Sequence, residues 1–175
     1  MKVVAAVDDS DFSRHALAWV LDHLFPAAAA DEKAEVETLR PALVLVHALE
    51  PLRHVMYPVG PGSAVYGAPS MMESVRAAQT ENARNLLDRA KLMCHQRGVS
   101  AEAVVVEGEP REALCRAAAD MGAGLLVVGS RGLGAIKRAF LGSVSDYCAH
   151  HASCPIMVVK PPRDDDDHAA HRTTS

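Results

Sequence analysis

Two clusters of glycine and serine and one aspartate carry the chemistry legible in this chain. Val127-Val128 runs into Gly129-Ser130-Arg131-Gly132-Leu133-Gly134, and a short stretch later the chain reaches Gly142-Ser143-Val144-Ser145. Glycine lets the main chain approach a ligand closely and adopt positive φ, so that N–H groups converge on one spot. A helix beginning at Ser143 would aim its unbonded N–H groups and the positive end of its dipole at the same place. The combination outlines a phosphate-binding site. Asp8, where the first strand ends, would face the same crevice.

Two familiar phosphate signatures are excluded. Gly129 and Gly134 have Walker A spacing, but Ala135-Ile136 stand where that loop needs Lys and Ser/Thr. A dinucleotide fingerprint would follow the first strand, where the chain reads Asp8-Asp9-Ser10-Asp11 without a glycine. Cys148, His150, His151 and Cys154 lie close together, yet zinc sites usually draw ligand pairs from separated segments and no second pair is evident. No metal site is expected. The four cysteines form no CxxC pair and read as small buried hydrophobes in a reducing compartment. His15, His23, His47 and His54 are scattered, and His47, inside an apolar run, reads as a core histidine. No general base or dedicated pair of magnesium ligands accompanies the glycine loop, so no catalytic residue is assigned and nothing predicts fast turnover.

The elements that must position these groups follow from periodicity. Val3 to Val7 and Ala42 to Ala48 are apolar runs suited to strands covered on both faces. Between them Asp8-Asp9-Ser10 supplies capping side chains for a helix over Asp11 to Leu24, whose Phe12, Ala16, Trp19, Val20 and His23/Leu24 recur at helical spacing. An acidic connector spans Asp31 to Arg40, and the proline- and glycine-rich Glu50 to Pro69 reads as a long exposed loop. Ser70-Met71-Met72-Glu73 reads as a capping box opening a helix to Arg97, with Gly98 as its stop. A strand over Ala103 to Val106, a helix from Pro110 to Ala119 ended by Gly122, a strand Leu125 to Val128, a helix Ser143 to His151 and a strand Pro155 to Val159 complete the pattern. Alternating strands and helices imply an α/β, doubly wound parallel sheet, which binds ligands beyond its strand C-termini at the topological switch point.

The chain of 175 residues is long enough for one domain, 1–160, followed by a disordered acidic tail, 161–175. Its net charge of −4 offers no electrostatic attraction to nucleic acid or an anionic membrane. No apolar run has a membrane span's length, and no signal-peptide pattern precedes the first strand, so the expected location is cytoplasmic.

Gly129-x-x-Gly132, nine residues, then Gly142-Ser143, set in this βα order with Asp8, closely resembles the universal stress protein family in its ATP-binding branch. The likeness covers roughly Lys2 to Lys160, and the Pro/Gly-rich insertion and acidic tail look like plant-type members. The resemblance implies a single-domain, Rossmann-like, adenine nucleotide alpha hydrolase-like sheet of five strands in the order 3-2-1-4-5, with helices on both faces. It also implies an adenine nucleotide ligand, ATP or AMP, with Mg2+ accompanying ATP. Carried over by position, Asp8 would accept hydrogen bonds from the ribose hydroxyls while Ala6, Val7 and Ala48 border the base. Val128 and Gly129 would lie under the ribose and α-phosphate. Ser130, Arg131, Gly132, Gly142, Ser143, Val144 and Ser145 would surround the phosphates through N–H, hydroxyl and guanidinium groups, with Lys137 and Arg138 either adding further cations or turned to solvent on a helical stretch. Purely structural readings stay open: Asp8 or Ser143 as helix caps, Gly132 and Gly134 as a plain turn. The implied role is a nucleotide-dependent regulator in stress response; a slow ATP hydrolase and a nucleotide-independent, chaperone-like scaffold are the alternatives. A homodimer through the last strand is expected, that strand being an apolar edge.

Overall fold

The structure, a computed structural model, describes residues 1–26, 41–52, 56–60, 63–66, 69–132 and 141–161. Its elements are β1 (Lys2–Ala6), α1 (Asp11–Leu24), β2 (Ala42–Leu49), β3 (Met56–Gly60), β4 (Ser63–Tyr66), α2 (Pro69–Gln96), β5 (Ala101–Glu107), α3 (Pro110–Asp120), β6 (Leu125–Gly129), α4 (Ser143–His151) and β7 (Ile156–Val159). The main sheet has five strands ordered β5-β2-β1-β6-β7, all pairs parallel. Counting only these strands along the chain, the order is 3-2-1-4-5.

The apolar runs divide by parity, as a strand's two-residue period requires. Val3, Ala5, Leu43, Leu45 and Val127 pack with Leu17, Val20 and Leu21 of α1 and Leu86, Leu87 and Ala90 of α2. Val4, Val44, Val46, Leu126 and Val128 face the other way, against Leu114, Ala117 and Ala118 of α3 and Cys148 of α4. Two cores, one on each face, explain why nearly every residue of β1 and β2 had to be apolar. Each fully buried Val or Leu contributes roughly 1.5–3 kcal/mol of transfer free energy.

Helix ends follow local chemistry. Ser10 is the N-cap of α1, accepting the Ser13 N–H at 3.1 Å. Gly98 (φ +69°) and Gly122 (φ +61°) end α2 and α3 in the left-handed conformation. In both, the next N–H reaches back five residues, Val99 to Cys94 O at 3.0 Å and Ala123 to Ala118 O at 2.9 Å.

Three local expectations change. The stretch expected as a loop from Glu50 to Pro69 contains β3 and β4, an antiparallel pair with an irregularity between Pro58 and Gly60. A two-stranded ribbon consists only of edges, where a proline is tolerated, so Pro58 did not exclude a strand. The capping box also fails: α2 begins at Pro69, and Ser70 lies inside the helix with its carbonyl accepting from Ser74 Oγ at 2.9 Å. On α1 the buried stripe is Ser13, Ala16, Leu17, Val20 and Leu21, while Trp19 sits at its margin, stacked on exposed His23. The acidic connector, Gly134, Lys137, Arg138, His54 and the tail beyond Pro161 lie outside the described residues.

Candidate functional site

The C-terminal ends of β1, β2 and β6 open into a cleft of about 510 Å3, roofed on one side by α3 and α4. That volume is typical of a small-molecule site. Ala6, Val7, Asp8, Ala48, Val128, Gly129, Arg131, Gly132, Gly142, Ser143, Val144 and Ser145 all line it. The cleft lies where β1 and β6 adjoin, the switch point at which successive crossovers leave on opposite faces.

Among the described residues, Asp8 is held through its Oδ1 and its main-chain N–H. Its Oδ1 accepts the Ser10 N–H at 2.9 Å and also the Ser10 hydroxyl, and its own N–H donates to Ser13 Oγ at 2.9 Å. Its Oδ2 lies towards Gly132, 2.8 Å from where a Cβ there would stand. Ser10, not Asp8, caps α1, which leaves that oxygen for the cleft. Neighbouring Asp9 points outward, where its Oδ1 meets Arg89 Nη2 at 3.1 Å and Arg14 Nη1 at 3.4 Å.

The glycines are required by close approach, not by dihedral angle. Close approach and positive φ were both expected of the loop; among the described residues only Gly98, Gly108 and Gly122 have positive φ, and Gly134 lies outside them. A Cβ at Gly129 would stand 3.0 Å from the carbonyl carbon and oxygen of Phe12, and one at Gly142 would stand 3.1 Å from Arg131 Cα. Gly129 therefore lets β6 abut the first turn of α1.

The start of α4 is tied into place from below. Gly142 is its N-cap, so Ser143 occupies the first helical position. The Gly142 N–H donates to Ser130 O at 2.8 Å and is thus committed within the protein. Ser145 Oγ, in a residue 2% exposed, donates to Ser130 O at 3.1 Å and Gly142 O at 3.0 Å. The first intrahelical bond is Asp146 N–H to Gly142 O at 2.9 Å. The N–H groups of Ser143, Val144 and Ser145 precede it and have no helical acceptor, which makes this end suited to an anion. Ser130 does not line the cleft: it is buried, its N–H donates to Val159 O at 2.8 Å, and its carbonyl anchors Gly142 and Ser145. Arg131 lines the cleft with its guanidinium 5.5 Å from the Phe12 ring centroid, a cation–π contact.

Sequence reasoning passed over Ser13, Val46, Glu50, Pro110 and Leu114, which line the cleft as His47 also does. His47 is a correction: it is half-buried and borders the cleft, while its Nδ1–H donates to Val7 O at 2.8 Å. Its position near the C-terminal end of β2, which the register sets beside Val7 and so one residue before Asp8, was the available signal. Pro110 and Leu114 carried none, because only the packing of α3 over the sheet brings them there.

The family model described as the universal stress protein family matches residues 1–160. A universal stress protein of Bacillus subtilis is 30% identical over 162 residues, 91% of this chain and 98% of that protein. A universal stress protein A-like protein of Arabidopsis thaliana is 35% identical over 97 residues, 55% of each chain. Among solved structures, a universal stress protein family protein of Arabidopsis thaliana with AMP bound has a TM-score of 0.62 and 25% identity, covering 98% of this chain and 97% of that one.

Proposed function

The chain belongs to the universal stress protein family, and from that premise we propose that its cleft holds an adenine nucleotide whose occupancy regulates the protein in a stress response. The observation that carries this reading is that the Asp8 carboxylate and the first turn of α4 border one cleft. The AMP held by the Arabidopsis family structure supports it. Asp8 then accepts from the ribose hydroxyls, with Ala6, Val7 and Ala48 beside the base. Val128 and Gly129 underlie the ribose and α-phosphate. The N–H groups of Ser143, Val144 and Ser145 receive phosphate oxygens, and Arg131 adds charge-assisted bonds. Gly132 and Gly142 leave room for these contacts, and Ser130 acts through its carbonyl as the frame.

Both AMP and ATP suit this donor set. ATP would bring Mg2+ on its own phosphates, since no group of three or more His, Cys, Asp or Glu gathers among the described residues to hold a metal. The folded unit is taken as residues 1–160, working in the cytoplasm; no helix among the described residues is long and apolar enough to cross a membrane. The protein is further taken to pair as a homodimer through β7, which has β6 as its one neighbour in the sheet.

Calorimetric titration with AMP and ATP–Mg tests the reading. Asp8→Ala should weaken AMP by about 10- to 100-fold, the worth of hydrogen bonds to a charged group. That penalty should vanish with 2′,3′-dideoxyadenosine monophosphate, which lacks the hydroxyls Asp8 reads. Failure of the native protein to bind either nucleotide overturns the proposal in favour of the scaffold; sustained phosphate release from ATP establishes the hydrolase instead.

A further inference from the structure

Cys115 of α3 and Cys148 of α4, 33 residues apart, meet across the helix pair that roofs the cleft. The Cys115 thiol donates to Cys148 Sγ at 3.6 Å, and the Cys148 thiol donates to Arg111 O at 3.8 Å. Cys148 belongs to the apolar cluster on this face of the sheet, and Cys115 and Cys154 both pack against it. The two sulfurs differ in reactivity. Cys148 is fully buried; burial, with the adjoining Cys115 and then Cys154 adding to it, pushes its thiol up to about 12. Cys115 is only partly buried. Cys115 is the less buried residue of the two, so an oxidant meets it first, and Cys148 Sγ lies 3.6 Å away to resolve the product.

We propose that Cys115 and Cys148, facing thiols on adjacent helices, form an oxidation site that a hydroperoxide closes into an intramolecular disulfide. In the first step the deprotonated Cys115 sulfur attacks the distal peroxide oxygen and the O–O bond breaks. Cys115 becomes a sulfenic acid, and the departing hydroxide or alkoxide takes up the thiol's proton. In the second step the Cys148 sulfur attacks Cys115 Sγ; the S–O bond breaks, and hydroxide leaves as water with the Cys148 proton. With hydrogen peroxide, two thiols give up two electrons, and one peroxide becomes two waters. Closing the bond brings the sulfurs from 3.6 Å to about 2.05 Å, a shift of roughly 1.5 Å that the two helices share.

Leu114 beside Cys115, and Ser145 three residues before Cys148, both line the cleft. On the nucleotide reading above, and only on it, the bridge fixes the phosphate-facing end of α4 against α3 and alters nucleotide affinity. The oxidation site stands without that reading.

The full chain, reduced and then treated with stoichiometric hydrogen peroxide, is alkylated and mapped by mass spectrometry. The expected product is a Cys115–Cys148 linked peptide, two hydrogens lighter and released by dithiothreitol. It should raise Tm by about 5–10 °C, as expected for a loop of this length. Cys115→Ser should abolish the link and Cys154→Ser should leave it. Overoxidation of Cys115 without a link, a bridge to Cys154, or links only between chains overturns the proposal. AMP titration of the bridged protein separates the two readings: a several-fold change in Kd supports the coupling and an unchanged Kd overturns it, whereas no AMP binding in either form removes the nucleotide reading and leaves the oxidation site established.

Discussion

Gly129 and Gly132 look equivalent in the sequence and serve different ends. An added Cβ at Gly129 meets main chain of Phe12 at 3.0 Å and Ser13 N at 3.2 Å, atoms fixed in the first turn of α1. Gly129→Ala should therefore destabilise the fold by about 1–3 kcal/mol, the usual cost of overpacking. At Gly132 the Cβ meets Asp8 Oδ2 at 2.8 Å, the end of a side chain that can turn away. Gly132→Ala should leave the urea midpoint nearly unchanged while weakening AMP, because it displaces the oxygen offered to the ribose. Urea denaturation and calorimetry on the same two variants check the contrast; equal effects on both quantities would refute it. Neither role was legible beforehand, since a glycine's need for space depends on what packs opposite.

At the scale of elements, α1 couples stability to the site through Ser10. Its hydroxyl caps the helix at Ser13 N and bonds Asp8 Oδ1, so one side chain serves both. Ser10→Ala should cost about 0.5–2 kcal/mol as a lost N-cap and also weaken AMP by freeing Asp8 to rotate. Parallel denaturation and titration measure the two losses; a stability loss with AMP affinity intact would sever the link. The starts and stops of α1, α3 and α4 were legible because Ser10, Pro110, Gly122 and Gly142 act through local geometry. The β3–β4 ribbon was not, because Pro58 and Gly60 favour loops wherever no partner strand is known. For the same reason Ser70 misled: a capping box describes four residues, while α2 began one residue earlier, at Pro69.

For the whole molecule, the sheet ends in two strands with one neighbour each, β5 and β7. Half-buried Ile156, Met157 and Val158 make β7 an apolar edge, the kind that invites another strand. The proposed homodimer predicts a mass near twice the 18.6 kDa chain at micromolar concentration. Light scattering coupled to gel filtration reads it directly, and a monomer mass would overturn the pairing. The two cores, by contrast, follow from each chain's own parity and need no second copy.

By itself the sequence determined the parallel α/β architecture, most helix limits and the grouping of Asp8 with Gly129, Gly132 and Gly142, because these depend on period, local capping and the chain order of a doubly wound sheet. Tertiary structure alone decided which groups remain available to a ligand. Ser130 O takes the Gly142 N–H and the Ser145 hydroxyl, His47 reaches the cleft's border, and Cys115 meets Cys148. Each of these contacts joins residues from different elements, and the distance between such residues is set by packing, which no spacing along the chain encodes.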